Sequence, residues 1–321
     1  MQNFLFDKQT RYYSFNEYCK QTFGQKVYRL SLNGGMSCPN RDGTLGTGGC
    51  TFCSEGGSGD FATDYNISIK TQIAQAKERT QAKTSCNAFI AYFQAYTNTY
   101  APITHLQRIF TESIQQPEIV ALSIGTRSDC LSDEVLDLLE KLSQIKPVWV
   151  ELGLQTIHNQ TLQHLNTHTT VGQFDSAVFA LSKRKIPVIA HVILGLPYET
   201  KEMMLETVQH ISTLPILGVK LQLLHILKYT QLALEYEQQP FPLFELEEYC
   251  DFIVDCLEYL PPNMVVHRLT GDGPRNLLIA PLWSTDKKRV LNTIRKKLKE
   301  RNTFQGKNFS FSEHCTILST V

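Results

Sequence analysis

Three cysteines stand in one glycine-rich stretch near the start of the chain. Cys38 and Cys50 are separated by eleven residues, and Cys53 follows Cys50 after two more. Thiolates bind soft metal ions and iron–sulfur clusters, and a Cys-x-x-Cys pair brings two sulfurs to one centre. A structural zinc ion needs a fourth ligand, but the first histidine of the chain is as distant as His105. We therefore favour a three-thiolate site that leaves one metal position open. The alternatives are buried unreactive thiols, zinc with a distant fourth ligand, and a redox Cys-x-x-Cys pair.

The composition sets the broad class of protein. The chain has 321 residues, 42% of them hydrophobic, which is enough for a sizeable core. Its formal net charge is zero, so no global field points to nucleic acid or an anionic membrane. No apolar run reaches the roughly 18 residues that a membrane span needs, and the start of the chain does not resemble a signal peptide. Nine cysteines, an odd number, argue against a secreted disulfide framework. These features predict a cytoplasmic protein.

Short apolar runs alternate with segments of helical periodicity along most of the chain. The runs cover 27–33, 88–93, 119–125, 147–153, 187–193 and 218–224, with a weaker one at 264–270. The helical segments cover 67–83, 132–142, 171–185 and 201–214. A strand–helix–strand alternation with spacings of roughly 30 residues indicates βαβ units and a parallel sheet. The pattern predicts an α/β fold with six or seven such units, arranged as a barrel or partial barrel.

Polar and glycine residues concentrate directly after the predicted strands. After the first strand comes the cysteine stretch, and later strands are followed by 94–102, 126–130, 155–160 and 195–200. In a parallel α/β barrel the chemistry takes place at the carboxyl ends of the strands. The sequence therefore predicts one functional edge of the sheet.

The cysteine stretch, with Phe52 just before its last cysteine, resembles the cluster loop of the radical S-adenosylmethionine (radical SAM) superfamily. The commonest spacing in that superfamily is Cys-x3-Cys-x2-Cys, and this chain departs from it in the first gap. A lengthened first gap is similar to that of the radical SAM domain of the Elongator catalytic subunit, which modifies tRNA uridine. Further segments resemble that domain over roughly residues 25 to 225. They are TRSDC (126–130), VELGLQTIHNQTLQHLNTHTT (150–170) and HVILGLPYET (191–200).

Two departures from the Elongator pattern bear on function. Ser128 replaces a proline, and Asn166 and Thr167 replace an Arg-Gly pair. The chain also has no room for an acetyltransferase domain, so uridine carboxymethylation does not carry over. The sequence looks most like a stand-alone bacterial radical SAM family.

The resemblance implies a fold and a chemistry. The fold is a partial parallel (βα)6-type radical SAM barrel over 26–235, with an N-terminal extension at 1–25 and a C-terminal extension at 236–321. Cys38, Cys50 and Cys53 are expected to bind three irons of one [4Fe–4S] cluster. The fourth iron is expected to bind S-adenosylmethionine, whose reductive cleavage yields a 5′-deoxyadenosyl radical.

The same resemblance implies roles for residues at the other strand ends, and it identifies no catalytic residue. Gln94 and Asn98 are expected near the methionine amine, and Arg127 near the methionine carboxylate or a substrate anion. Gln155 suits ribose hydroxyls or substrate. Gly195 is expected to shape a turn that approaches the adenine.

A basic segment near the end of the chain raises the possibility of an RNA substrate. Residues 287–301 contain eight basic residues and one acidic residue, arranged with an apolar stripe, so a helix there would present a basic face to phosphates. The acidic segment 244–255 would repel RNA on its own side.

We expect an enzyme that modifies an RNA base, with tRNA as the leading substrate. The other expected partner is an electron donor of the flavodoxin or ferredoxin type, with no membrane partner. The alternatives are a radical SAM enzyme that acts on a small metabolite and a non-catalytic iron–sulfur protein that binds a partner or senses redox state. The sequence leaves the oligomeric state open.

Overall fold

The computed structural model describes residues 6, 9–57, 63–82, 84–271 and 273–310. Parts of both predicted extensions therefore lie outside the described residues, namely 1–5, 7 and 8 at one end and 311–321 at the other. The described chain divides into two compact units. The cysteine-loop unit comprises 19–153 and 172–189, and the C-terminal unit comprises 1–18, 154–171 and 190–321. The division into 1–25, 26–235 and 236–321 stays a prediction.

Nine strands and ten α-helices make up the regular structure of the described residues. The strands are β1 (Tyr28–Leu32), β2 (Phe89–Phe93), β3 (Ile119–Thr126), β4 (Val148–Gln155), β5 (Val188–Leu194), β6 (Gly218–Leu223), β7 (Ile226–Leu227), β8 (Val265–Arg268) and β9 (Leu278–Ala280). The helices are α1 (Phe15–Phe23), α2 (Ile69–Gln81), α3 (Ile103–Ile114), α4 (Asp133–Ser143), α5 (Asn159–His164), α6 (Val171–Lys183), α7 (Lys201–Ser212), α8 (Gln231–Gln238), α9 (Leu246–Tyr259) and α10 (Lys287–Glu300). A 3-10 turn covers Leu282–Thr285.

Seven of the strands form one sheet in the order β1-β2-β3-β4-β5-β6-β8. The pairs β1–β2, β2–β3, β3–β4 and β6–β8 are parallel. Because parallel neighbours point the same way, β1 to β4 have their carboxyl ends at one edge, and so do β6 and β8. All seven apolar runs in the sequence correspond to strands of this sheet. The small antiparallel pair of β7 and β9 was not predicted.

The core of the cysteine-loop unit lies around β2, in which all five residues are buried. Phe93 of this strand packs edge-on against Phe110 of α3, with ring centroids 5.0 Å apart. Burying one such side chain is worth about 1.5–3 kcal/mol. The helix after β3 begins as the sequence predicts, because the Ser132 hydroxyl accepts a hydrogen bond from the Val135 amide.

In the C-terminal unit, α10 buries the apolar stripe that its sequence predicts. Val290, Ile294 and Leu298 are fully buried at four-residue spacing. This spacing places all three on one helix face, so the polar residues occupy the remaining faces. Over the residues described here, no helix is both long and apolar enough to span a bilayer.

Candidate cysteine-loop site

The segment between Cys38 and Cys50 folds back on itself. The Gly49 amide donates a hydrogen bond to the carbonyl of Asn40 at 2.7 Å, which closes residues 41–48 into a loop. Most of that loop is exposed. The residues outside it that separate the two cysteines are Pro39, Asn40 and Gly49. Although eleven residues separate Cys38 and Cys50 in sequence, the hydrogen bond between Gly49 and Asn40 brings the two ends of this segment together.

Glycine is required where this loop closes. Gly49 has a φ of +74°, in the left-handed region, and a Cβ atom there would lie 2.8 Å from Nε of Arg41. Gly48 differs, since a Cβ atom there meets nothing within 4 Å. Backbone turns complete the arrangement: the amides of Arg41 and Cys53 donate to the carbonyls of Cys38 and Cys50, at 2.8 and 3.0 Å.

Arg41 ties the closed loop to the segment that follows Cys53. Its Nη2 atom donates to the carbonyls of Cys53 and Ser54 at 3.0 and 2.7 Å, and its guanidinium lies over the ring of Tyr96. The Tyr96 hydroxyl in turn donates to the Glu55 carbonyl at 2.6 Å. The segment that follows β2 thus supports the backbone on the far side of the cysteines.

The three thiols lie close enough to affect one another. Burial, together with the nearby thiols of Cys53 and Cys38, raises the pKa of Cys50 to about 12, against the lowering effects of Arg127 and Asn40. Within the described ranges, no three His, Cys, Asp or Glu side chains are already spaced to hold a metal ion. The thiols therefore neighbour one another without being closed around a common centre. Binding a cluster would require their deprotonation.

Buried polar atoms lie at the carboxyl ends of β2 and β3. Asn98 is 1% exposed, and its Nδ2 atom donates to the carbonyls of Ala95 and Gly125 at 3.1 and 2.8 Å. Among the described residues, Oδ1 of Asn98, Oγ1 of Thr97 and Oγ of Ser128 are buried without a hydrogen-bond partner. Since such atoms are costly to leave unpaired, they fit a site that takes a polar ligand.

Gln94 directly follows β2 and is partly exposed. Its backbone N–H donates a hydrogen bond to the carbonyl of Leu32 in β1. Its backbone therefore belongs to the sheet edge where the cysteine stretch begins. The position agrees with the predicted role of Gln94, which stays a prediction.

Arg127 forms a two-pronged ion pair with a neighbour in sequence. Its Nε and Nη2 atoms donate to Oδ1 and Oδ2 of Asp129, at 2.9 and 2.7 Å. The side chain is 12% exposed, so it is not an ordinary surface arginine. Burial lowers the pKa of Arg127, but the hydrogen bonds and the negative charge of Asp129 outweigh burial and raise it. The guanidinium therefore stays charged beside the cysteines.

The two remaining predicted site residues, Gln155 and Gly195, belong to the C-terminal unit. Gln155 ends β4 with a φ of +69°, a left-handed conformation that non-glycine residues seldom adopt. Gly195 follows β5 with a φ of +89°, and a Cβ atom there would lie 3.1 Å from Phe244. The positive φ favours glycine at this turn, and the predicted roles of Gln155 and Gly195 stay predictions.

The C-terminal unit also holds polar groups that sequence reasoning missed. The Thr156 hydroxyl donates to Oε1 of Glu199 at 2.6 Å, and burial raises the pKa of Glu199. His164 and Tyr198 both contact Oε1 of Glu235, at 3.0 and 3.2 Å. The signal for Glu199 was its place in the post-strand segment 195–200, of which the sequence analysis used the glycine.

Asn40 and Asp129 were also missed in the cysteine-loop unit. Asn40 is fully buried, and its Nδ2 atom donates to Sγ of Cys50 at 3.6 Å. The available signals were a polar residue two positions after Cys38 and a carboxylate two positions after Arg127.

Comparison with known proteins places these features in a family. Residues 42–211 match the Radical SAM superfamily, and residues 216–300 match the Radical SAM C-terminal domain. Cys50 and Cys53 lie inside the first match, and Cys38 precedes it. The chain is 43% identical to the uncharacterized protein YtqA of Bacillus subtilis, over 96% of each chain. It is 40% identical to protein YhcC of Escherichia coli K12, over 81% of this chain and 84% of the other.

A solved structure shares the fold. The Elp3 protein of Methanocaldococcus infernus, with its N-terminus deleted, superposes with a TM-score of 0.67 at 16% identity. The match covers 87% of this chain and 64% of that chain. At this level of identity the likeness concerns the fold alone, and it confirms the predicted α/β class with a partial parallel barrel.

Proposed function

Because this chain belongs to the radical SAM superfamily, whose members are enzymes, we propose that Cys38, Cys50 and Cys53 hold one [4Fe–4S] cluster. The superfamily implies such a cluster and S-adenosylmethionine as cofactors. The ligand assignment rests on the backbone hydrogen bonds that bring the three cysteines into one closed loop, in which the Gly49 amide donates to the Asn40 carbonyl at 2.7 Å and the Cys53 amide donates to the Cys50 carbonyl at 3.0 Å. Three thiolates suit iron–sulfur ligation, and they leave one iron for the cosubstrate.

The closed loop supports the assignment despite the long gap in sequence. Once residues 41–48 are set aside, Pro39, Asn40 and Gly49 separate the first two cysteines along the backbone path. That arrangement is equivalent to Cys-x3-Cys-x2-Cys, the commonest superfamily spacing. The eleven-residue gap between Cys38 and Cys50 can then be described as the common spacing with residues 41–48 inserted, and the insertion does not change the positions of the three cysteines relative to one another along the backbone path.

A cluster held by Cys38, Cys50 and Cys53 would supply the electron for reductive cleavage of S-adenosylmethionine to methionine and a 5′-deoxyadenosyl radical, and that radical would take a hydrogen atom from the substrate. The residues of this chain bind S-adenosylmethionine and orient it. Oδ1 of Asn98 and Oγ1 of Thr97 are acceptors for the methionine ammonium group. Arg127, held by Asp129, supplies positive charge for the methionine carboxylate.

Three further residues complete the proposed cosubstrate contacts. Gln94 and Gln155 offer side-chain amides to the methionine amine and to the ribose. Gly195 has a positive φ, and the backbone of the turn that it forms contacts the adenine. The electron comes from a flavodoxin- or ferredoxin-type donor.

The ligand assignment is tested by anaerobic reconstitution with iron and sulfide. Iron and sulfide per chain and the electron paramagnetic resonance (EPR) signal after dithionite reduction are measured for the wild type, Cys38→Ala, Cys50→Ala and Cys53→Ala. Each variant should lose the four-iron signal. The matched control is Cys86→Ser, a partly exposed cysteine of the same unit whose thiol contacts backbone carbonyls. A full cluster in any of the three alanine variants would remove that cysteine from the ligand set.

We further propose that the substrate is an RNA base, with tRNA as the leading candidate. The support is the cationic surface of α10, on which Lys288, Arg289, Lys296 and Lys299 are exposed. Lys288 and Lys299 are eleven positions apart, about 17 Å along a helix. A cationic stripe of this length matches a run of backbone phosphates and requires no base recognition.

The acidic helix α9 neutralises other cations of the same segment. Lys297 lies 2.8 and 2.9 Å from carboxylate oxygens of Asp251 and Glu247, and Arg301 pairs with Asp255 at 2.7 Å. The acidic segment thus serves to attach α10. Lys296 lies 3.6 Å from a carboxylate oxygen of Glu300, so the proposed RNA contacts are Lys288, Arg289 and Lys299.

RNA binding is tested by titrating bulk tRNA at several salt concentrations. Changing Lys288, Arg289 and Lys299 together to Gln should weaken binding about tenfold or more. It should also reduce the salt slope by about 0.9 for each phosphate that is no longer neutralised. The control changes three exposed lysines of the other unit, Lys141, Lys183 and Lys185, to Gln. Equally weakened binding in both variants, or unchanged binding in both, would contradict this surface as the RNA site.

A further inference from the structure

Asn40 lies against a proposed cluster ligand. The residue is fully buried, and its Nδ2 atom donates to Sγ of Cys50 at 3.6 Å. A sulfur acceptor permits a longer hydrogen bond than oxygen does, and a thiolate accepts more strongly than a thiol because it carries charge. The contact would therefore strengthen when Cys50 binds iron as a thiolate.

The backbone fixes Asn40 independently of this contact. Its carbonyl accepts from the Gly49 amide at 2.7 Å, and the preceding carbonyl of Pro39 accepts from the Leu45 amide at 2.7 Å. Both bonds belong to the closure of loop 41–48. The backbone of Asn40 is thus held beside Cys50 by bonds that do not involve the side chain.

We propose that Asn40 is a positioning residue that sets the reduction potential of the cluster through its N–H···S hydrogen bond to Cys50. The inference rests on the proposed function, in which Cys50 is a ligand. Reduction adds one negative charge to the cluster and its thiolates, so a donor to a ligand sulfur stabilises the reduced state. Asn40 therefore makes the cluster easier to reduce.

The ion pair of Arg127 and Asp129 differs from Asn40 in how it affects the cysteines. Arg127 is a charged group near Cys38 and Cys50, and it is held by Asp129 at 2.7 Å. Asn40 carries no charge and needs no counter-ion. Its effect is local to one sulfur, so it can be removed without disturbing the ion pair.

The test is an anaerobic redox titration of the reconstituted full chain, followed by EPR. Asn40→Leu keeps a similar volume and removes the donor. We expect at least a threefold shift of the reduction equilibrium toward the oxidised cluster, about 28 mV at 59 mV per tenfold for one electron. The EPR line shape should stay that of the wild type. Asn66→Leu, an exposed asparagine of the same unit that bonds to Asp64, should not shift the midpoint.

A second variant keeps the test decisive. Asn40→Asp preserves the shape of the side chain, removes the donor and adds negative charge. Its cluster should therefore be at least as hard to reduce as that of Asn40→Leu. Midpoints equal to the wild type in both loaded variants would overturn the inference. Failure of both variants to load, while the wild type loads, would also overturn it, since tuning does not require Asn40 for assembly. If the wild type itself binds no four-iron cluster, the proposed function fails instead.

Discussion

At the scale of single residues, one backbone hydrogen bond decides how the cysteines are arranged. The bond from the Gly49 amide to the Asn40 carbonyl brings the two ends of an eleven-residue gap together. The residue types and their order indicated a thiolate site. They did not indicate this bond, because any of several glycines in the stretch could have closed the loop.

A glycine substitution tests that hydrogen bond. Gly49→Ala places a Cβ atom at φ +74° and 2.8 Å from Arg41, so we expect the closed loop to be destabilised by roughly 1–2 kcal/mol. Iron and sulfide per chain after reconstitution should fall below the wild type. Gly48→Ala is the neighbouring control, since its Cβ meets nothing within 4 Å. Indistinguishable cluster content in the two variants would count against the role of Gly49.

A buried carboxyl in the C-terminal unit gives a pH-dependent prediction. Burial raises the pKa of Glu199, so the folded protein favours the protonated acid more than the unfolded chain does. The ionised carboxylate of Glu199 is disfavoured in the folded protein. The free energy of unfolding therefore decreases as the pH rises through the folded-state pKa of Glu199. Glu199→Gln should therefore raise the melting temperature at pH 8 and change it little at pH 4.

The measurement is thermal unfolding of Glu199→Gln and the wild type across this pH range. Glutamine can still accept the hydrogen bond from the Thr156 hydroxyl, so that hydrogen bond is kept. A difference between the two proteins that stays constant with pH would show that the charge of Glu199 is not what destabilises the fold.

At the scale of elements, the strands of the main sheet were predictable because nearly all of their residues are buried. Such strands appear as continuous apolar runs, and each run in the sequence became a strand. The pair β7–β9 was not predictable, since two- and three-residue strands leave no periodic signal. The loop 41–48 was equally hidden, because its shape depends on hydrogen bonds between residues far apart in the segment.

Loop 41–48 offers a prediction at this scale. Replacing residues 42–48 by two glycines keeps Arg41, Asn40 and Gly49 and removes mostly exposed residues. The deletion removes the Leu45–Pro39 hydrogen bond but keeps the bond from the Gly49 amide to the Asn40 carbonyl. Since shortening a loop changes its closure entropy little, the cysteines should remain in place. We expect iron and sulfide per chain to match the wild type. Absence of the cluster from a variant with unchanged circular dichroism would mean that the loop itself shapes the ligand site.

At the scale of the whole molecule, the zero net charge conceals an uneven distribution. The acidic α9 and the basic α10 pair with each other, and Lys288, Arg289 and Lys299 of α10 are exposed. The sequence predicted the basic helix and its buried stripe. It could not predict which cations are neutralised, because that depends on how α9 packs against α10.

The family and the chemistry also belong to this scale. The ordered motifs of the sequence predicted the radical SAM family, and the match over residues 42–211 confirms it. The site residues were less accessible to prediction. The ligand of a side chain such as Gln155 depends on a backbone conformation, here a positive φ, that sequence patterns do not specify.

The most direct test of the central claim is the formation of 5′-deoxyadenosine. The reconstituted wild type and Cys50→Ala are incubated anaerobically with dithionite and S-adenosylmethionine, with and without bulk tRNA, and the product is measured by chromatography. We predict product from the wild type, more of it with tRNA, and background levels from Cys50→Ala. Background levels from a wild type with a full, reduced cluster, with and without tRNA, would contradict the account.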